Sequence, residues 1–337
     1  MAASGGYWAN LAEAQKLTQT HLVPGVIEEN IRRGGILSML PLAQAMGKDI
    51  TWNREDTERE ARETSIGGLL TWTDNVKYTA VTKGLQILYD QTPLDHFVSS
   101  VYGDIQNYEA ITLKGLRKGV IRRLEDRIIY GDLTYGTNEF DGLHALAEER
   151  GATLDVDQNG ALSIANLRAM QDNMKLGVDF FLVPYEIGRR LDAFYQEAGS
   201  VVANRSILGS YIYDKSETGM RQAYFNGVPI IRSDYLVAED DGTGVGSNRR
   251  AKNTGGTKTY TIFAVKLGQV MEGDGGLGLG FGGETHEAGE FFKTVYFPNL
   301  ENHDAAGLRL VSYAALLDGS TYAVGRIFDI TDAAVVA

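Results

Sequence analysis

The chain is predicted to fold as an α+β protein, on the strength of three stretches. Residues 105–130 place Leu113, Leu116, Val120, Leu124 and Ile128 at spacings of three or four, which marks a long helix with one buried stripe. Residues 180–183 are a short apolar run ended by Pro184, after which Ile187, Leu191, Phe194 and Tyr195 return to helical spacing as far as Gly199. Beyond residue 226 the apolar residues come in short runs between polar and glycine-rich stretches, as in a succession of strands.

Taken in order, the chain opens with a short helical piece at 8–17. A second begins at Pro24, carries Val26, Ile27 and Ile31, and is stopped by Gly34 and Gly35. Both are too short to be stable alone. Ile50 and Trp52, the charged run 54–63, Gly67 and Gly68, and then Leu70, Trp72, Val76 and Tyr78 predict a long two-stranded hairpin with a charged tip. The charge run fits a solvated loop and an intersubunit contact equally well.

On the long helix the remaining faces hold Lys114, Arg117, Lys118, Arg122, Arg123 and Arg127, partly balanced by Glu125 and Asp126, with Arg122 and Asp126 placed for an i,i+4 pair. Solvation accounts for such a face; DNA or an acidic neighbour would also suit it. Gly115 and Gly119 each cost about 1 kcal/mol relative to alanine inside a helix, so a close neighbour, a strand, is expected beside them. The helix should end near Gly131. Further elements are a helix at 164–176 and strands at 227–232, 260–268, 291–297, 308–316 and 322–330, with 239–256 an exposed polar loop. No fixed-period repeat is present.

The length of 337 residues exceeds one typical domain, which implies two domains or one elaborated unit. With no cysteine there are no disulfides or thiolate metal sites, as suits a reducing cytoplasm. A net charge of -12 argues against a dedicated nucleic-acid binder, although an acidic wall would tolerate packed DNA without gripping it. Residues 1–10 lack the basic start and apolar core of a signal peptide, and no run approaches the roughly 18 apolar residues of a membrane span, so a soluble, unexported chain is expected. The 40 glycines against 6 prolines favour tight turns, and 43% hydrophobic content is too high for disorder.

Motifs for chemistry are weak. Gly273, Gly275 and Gly278, and again Gly278, Gly280 and Gly283, match G-x-G-x-x-G, but a phosphate cradle needs a helix next and the strand-like 291–297 follows. Asp155, Asp157, Asn159, Gly160 and Ser163 reproduce the first, third, fifth, sixth and ninth positions of a calcium-binding loop, yet Asn166 stands where a bidentate glutamate is needed. A turn whose Asp and Asn side chains cap local backbone and start the next helix is the preferred reading. His286 and Glu287 begin an H-E-x-x-H pattern that ends on Glu290 instead of histidine. There is no nucleophile elbow, Walker loop or cysteine nucleophile. No catalytic residue, cofactor or metal is assigned, and the chain is expected not to be an enzyme.

Residues 23–55, VPGVIEENIRRGGILSMLPLAQAMGKDITWNRE, resemble the amino-terminal arm and following extended loop of tailed double-stranded DNA bacteriophage major capsid proteins. The resemblance continues through the long helix to Ile129, Tyr130, Gly131 and Asp132, and through Asn138, Glu139, Phe140, Asp141, Gly142 and Leu143. It resumes at 225–234, FNGVPIIRSD, and in the closing strands 308–330. It implies the Hong Kong phage type capsid fold, shared with encapsulins: an N-arm at 1–45, an extended β-hairpin loop at 46–88, a peripheral domain at 89–145 with its spine helix, an axial domain at 146–258, peripheral strands at 259–318 and an axial return at 319–337.

The function so implied is a structural virion protein that self-assembles as hexamers and pentamers into an icosahedral shell in the host bacterial cytoplasm and encloses DNA without reading its sequence. Arg54, Glu55, Asp56, Glu58, Arg59, Glu60, Arg62 and Glu63 of the loop, with Arg122 and Arg123 of the helix, would form the assembly interface. Scaffolding and portal proteins, and a decoration protein, are the expected partners; no membrane is. The scaffold is expected to be a separate protein, because the chain starts almost directly at the arm. No intersubunit Lys–Asn crosslink is assigned, since Lys77 and Lys83 have no identified partner. An encapsulin-type nanocompartment is the alternative within the fold, and a metal- or nucleotide-dependent enzyme the alternative outside it.

Overall fold

The computed structural model describes residues 35–45, 47–57, 60–70, 72, 77–102, 108–201, 211–215, 221–241, 250–282, 291–301 and 303–336. The helices expected at 8–17 and from Pro24, and Glu58, Arg59, Val76, Gly283, His286, Glu287 and Glu290, lie outside these residues.

In chain order the elements are β1 (Leu42–Ala45), β2 (Asp49–Thr57), β3 (Lys77–Gly84), β4 (Gln86–Asp95), α1 (His96–Tyr102) and the long α2 (Tyr108–Tyr130). Next come α3 (Leu143–Glu148), β5 (Asp155–Ser163), α4 (Ile164–Asn173), β6 (Phe180–Val183), α5 (Tyr185–Val201), β7 (Tyr211–Lys215), β8 (Arg221–Phe225) and β9 (Val228–Arg232). The chain closes with β10 (Glu239–Asp241), β11 (Arg250–Lys252), β12 (Tyr260–Val265), β13 (Leu277–Gly282), β14 (Lys293–Phe297), β15 (Ala305–Asp318) and β16 (Val324–Val336). Strand outweighs helix, and the fold class is α+β.

Two sheets organise these elements. In the first, β15 is flanked by β4 on one edge and by β14 and then β13 on the other, with β1 parallel to β13 outside it. The second runs β5-β16-β12-β6-β9-β8-β7. Residues 180–183 show why its centre is apolar throughout: Phe181 and Val183 enter a core with Ile187, Leu191 and Ile230, while Phe180 and Leu182 point into a second core on the opposite face.

Helix α2 bridges the two sheets with a single stripe. Leu116 and Val120 pack on Leu94, Leu308 and Leu310 of the first sheet, and one or two turns later Leu124 and Ile128 join Phe140, Leu143, Phe180 and Leu182 against the second. Each such side chain contributes roughly 1.5–3 kcal/mol on burial. The expected close neighbour exists at one of the two glycines. A Cβ on Gly119 would lie 2.9 Å from Asp90 Oδ2 of β4, whereas nothing lies within 4 Å of one on Gly115, which is on the exposed side. Asp126 pairs with Lys252 and, at 3.9 Å, with Arg123.

The strand at Tyr260–Val265 pairs with β6 and β16 in the second sheet, and all six of its residues are buried. Two expectations are corrected. Residues 155–163, read as a turn, form β5 parallel to β16, with a register shift near Asn159 (φ 42°) and Gly160 (φ 156°). Asp157 does accept a bond from the Asn159 amide at 3.1 Å, but Ser163 at the start of α4 makes no side-chain cap. Finally, the ends of the polar stretch 239–256 pair as β10 and β11, and Glu239 and Arg250 within them are buried.

Glu239 belongs to a buried polar network joining α2, α3 and the second sheet. Arg326, fully enclosed, holds Asp155 with both arms of its guanidinium at 2.6 and 2.9 Å, between strands that are already register partners. A third nitrogen faces His144 Nδ1 at 3.2 Å; because guanidinium only donates, Nδ1 accepts and Nε2–H donates to Glu239 at 3.0 Å. Glu239 also accepts from Tyr130 at 2.8 Å and Thr261 at 2.5 Å. Burial alone would raise the Glu239 carboxyl, but its contact with His144 and the hydrogen bonds from His144, Thr261 and Tyr130 hold it below its ordinary range. Burial, and then the Glu239 charge, push the Tyr130 phenol well above its own.

Candidate assembly surfaces

Strands β2 and β3 pair with each other from Asp49↔Gly84 to Thr57↔Lys77 and with no other described strand. A lone two-stranded ribbon is marginal in water, so its direction depends on how its base is fastened. Ile50 is buried with Ala45, Val270, Ala315 and Leu317, and it sits over Gly280, where a Cβ would meet its Cδ1 at 2.9 Å. The glycine-rich run thus provides room for the hairpin base: Gly278 and Gly280 are strand residues of β13, and the next described element is the strand β14, not the helix a phosphate cradle needs.

Charge completes the fastening. Arg54 donates to Asp318 Oδ2 at 2.7 Å and to the Gly319 carbonyl at 3.0 Å, and Arg150 shares the same carboxylate. On the other strand Lys83 pairs with Asp141 at 2.6 Å. Arg54, grouped by sequence with the interface charges, therefore has its guanidinium engaged within the chain.

Beyond this base the hairpin is open to solvent. Glu55, Asp56, Glu60, Arg62 and Glu63 are exposed, and so are four large apolar side chains: Ile66 (108%), Leu69 (88%), Leu70 (78%) and Trp72 (101%). Leu70 and Trp72 were expected in a strand, but β3 begins only at Lys77. Ile66 and Leu69 went unnoticed in the sequence, although apolar residues bracketing Gly67 and Gly68 in an otherwise polar run were the available signal. Four large apolar side chains exposed so close together in sequence suit an interaction surface.

The helix residues are less uniform. Arg123 is largely exposed while Arg122 is half-buried, and Arg127 pairs with Glu139. Burial, then the nearby Arg123, lower the Arg127 guanidinium from its ordinary value against the opposing pull of Glu139 and Asp126. Beside α2 lies a groove of about 530 Å3 lined by Leu37, Leu113, Arg117, Ile121 and Phe292, with Arg117 5.6 Å from the Phe292 ring centre.

The calcium-loop residues are not gathered into a site. Asp155 is held by Arg326 while Asp157 and Asn159 continue along β5, and among the described residues no group of three or more metal-ligating side chains is found. Nor is any helix among them long and apolar enough to cross a membrane.

No protein-family profile and no curated protein sequence matches the chain. Solved structures do. The holo-SrpI encapsulin complex from Synechococcus elongatus PCC 7942 is similar over 98% of this chain and 98% of that one, with a TM-score of 0.66 at 14% identity. The capsid of Cyanophage A-1(L) covers 94% of this chain and 98% of its own, with a TM-score of 0.63 at 13% identity. The capsid of Myoviridae phage XM1 gives 92% and 96%, a TM-score of 0.59 and 11% identity. The chain has the Hong Kong phage type capsid fold that phage capsids and encapsulins share.

Proposed function

We propose that the chain is the shell-forming major capsid subunit of a tailed double-stranded DNA phage, a structural protein and not a catalyst. On this reading residues 1–45 are the N-arm and 46–88 the extended loop. Helix α2 with the first sheet forms the peripheral domain, and the second sheet forms the axial domain. Subunits join as hexamers and pentamers into an icosahedral virion shell around DNA, with scaffolding, portal and decoration proteins as partners, and assembly takes place in the host cytoplasm. The acidic balance of the chain suits a wall that contains DNA without binding its sequence.

The observation that carries the reading is the hairpin tip. Four large apolar side chains there are open to solvent, uncovered by any of the described residues, and covering each with a neighbour is worth roughly 1.5–3 kcal/mol. The flanking charges contribute about 0–1 kcal/mol per exposed pair, so they set register and partner choice while the apolar tip supplies the larger share of affinity.

The test replaces residues 60–70 with a short glycine turn and keeps Arg54 and Lys83. The expected product is a folded subunit that no longer builds shells under electron microscopy when expressed with its neighbouring genes. Normal shells from the trimmed chain would remove the role given to the hairpin. The similarity to an encapsulin, at a TM-score of 0.66, keeps a second reading, a nanocompartment around protein cargo. Packaged DNA supports the first and enclosed host protein the second.

A further inference from the structure

Glu125 is a carboxyl in the wrong place for an ordinary acid. It lies on α2, 5% exposed, among Leu124, Ile128 and Ile129 of the core that also takes in Ile36 and Leu40. Its Oε1 accepts a hydrogen bond from the Leu37 amide at 3.3 Å, and its Oε2 is buried without a hydrogen-bond partner. Among the described residues, no cation comes with the elements packed against it. Residues 35–41 contain no titratable group, and the strand residues sharing this core, from Phe180 and Leu182 of β6 to Leu277, Leu279, Ala314 and Leu316 of the first sheet, are apolar. Nearby α3 contributes His144, which is occupied by Glu239 and Arg326. On its own helix Arg122 stands one turn earlier, and Arg123 and Asp126 are directed to each other.

We propose that Glu125 is a protonation-controlled latch between the long helix and the segment 35–40, through which the first 34 residues join the body: the neutral carboxyl keeps that segment docked, and ionisation loosens it. A neutral acid accepts the Leu37 bond at little desolvation cost, whereas a carboxylate there has one amide and, among the described residues, no counter-charge. Burial raises this carboxyl to about 7, against the opposing effect of the Leu37 bond. Because the docked value lies above the undocked 4.5, docking is favoured most below pH 4.5 and the advantage is lost as pH rises through about 7. The docking equilibrium should therefore weaken about tenfold between pH 6 and pH 8. Acid holds the segment down; mild alkali frees it.

Hydrogen exchange by mass spectrometry on the full chain in its native assembly state reads this directly, using a peptide covering 36–41 and rates corrected for intrinsic pH dependence. The wild type is expected to lose about tenfold protection there from pH 6 to pH 8, with the buried strand 180–183 unchanged. Glu125→Gln, which keeps the shape and cannot ionise, is expected to show no such step. Glu125→Leu carries the same expectation should the glutamine variant fold poorly. A wild type without the step, a step that persists in the variants, or an equal loss at 180–183 would overturn the latch. None of these outcomes depends on whether the subunit builds a shell.

Discussion

Replacing Arg326 with methionine tests how the second sheet tolerates a charge at its centre. Methionine fills much of the same space, so the cavity contribution is small and the loss is chiefly electrostatic. Two charge-assisted bonds to Asp155, at 2.6 and 2.9 Å, vanish, and a side chain only 2% exposed is left without its cation. The stranded carboxylate finds relief by taking a proton from solvent, which at pH 7 costs an ordinary aspartate roughly 4 kcal/mol. That falls within the roughly 3–5 kcal/mol observed when one partner of a buried pair is removed. The cost of that proton falls by about 1.4 kcal/mol for each pH unit, so at pH 5 the penalty should be near 1.5 kcal/mol. Urea unfolding of the subunit followed by pulse proteolysis at both pH values measures it. The double variant Asp155→Leu with Arg326→Met should recover most of the loss. A penalty under about 1 kcal/mol at pH 7, or one that does not shrink in acid, would refute the account of a desolvated and fully paired charge.

Gly115→Ala should stabilise the chain by about 1 kcal/mol, read as a raised urea midpoint, because the added methyl meets open space in a helix interior. Gly142→Ala should do the reverse and lower the midpoint, since its Cβ would meet the Arg127 and Ile128 carbonyl oxygens at 2.6 and 2.7 Å. Arg54→Ala removes a charged hydrogen bond worth roughly 1.5–3 kcal/mol from the hairpin base while Arg150 still holds Asp318; hydrogen exchange should quicken in 49–57 and 77–84 and stay unchanged in 180–183. Tyr130→Phe takes one donor from Glu239 and leaves His144 and Thr261, so calorimetry should show a loss of about 1–2 kcal/mol without a change of fold.

Much of this molecule was written locally in its residues. The stripe from Leu113 to Ile128 defined α2, and the run 180–183 emerged as β6 with its bounds intact, because helical period and continuous apolar burial are properties of neighbours in sequence. The charged hairpin was legible too, though its second strand starts at Lys77 and not near Leu70. What the order of residues could not show was partnership over distance. Asp155 read as part of a local turn until β16 brought Arg326 to it from 171 positions away, and nothing near Arg54 in sequence announced its bond to Asp318, 264 positions away. The same holds for Glu125, an unremarkable helix acid by sequence, whose burial comes from the 35–40 segment and the sheet packed around it. Sequence determines which segments are helix or strand because that depends on short-range periodicity; which charges are paired, buried or left facing a neighbour depends on the tertiary structure, because electrostatic and desolvation energies follow distance in space.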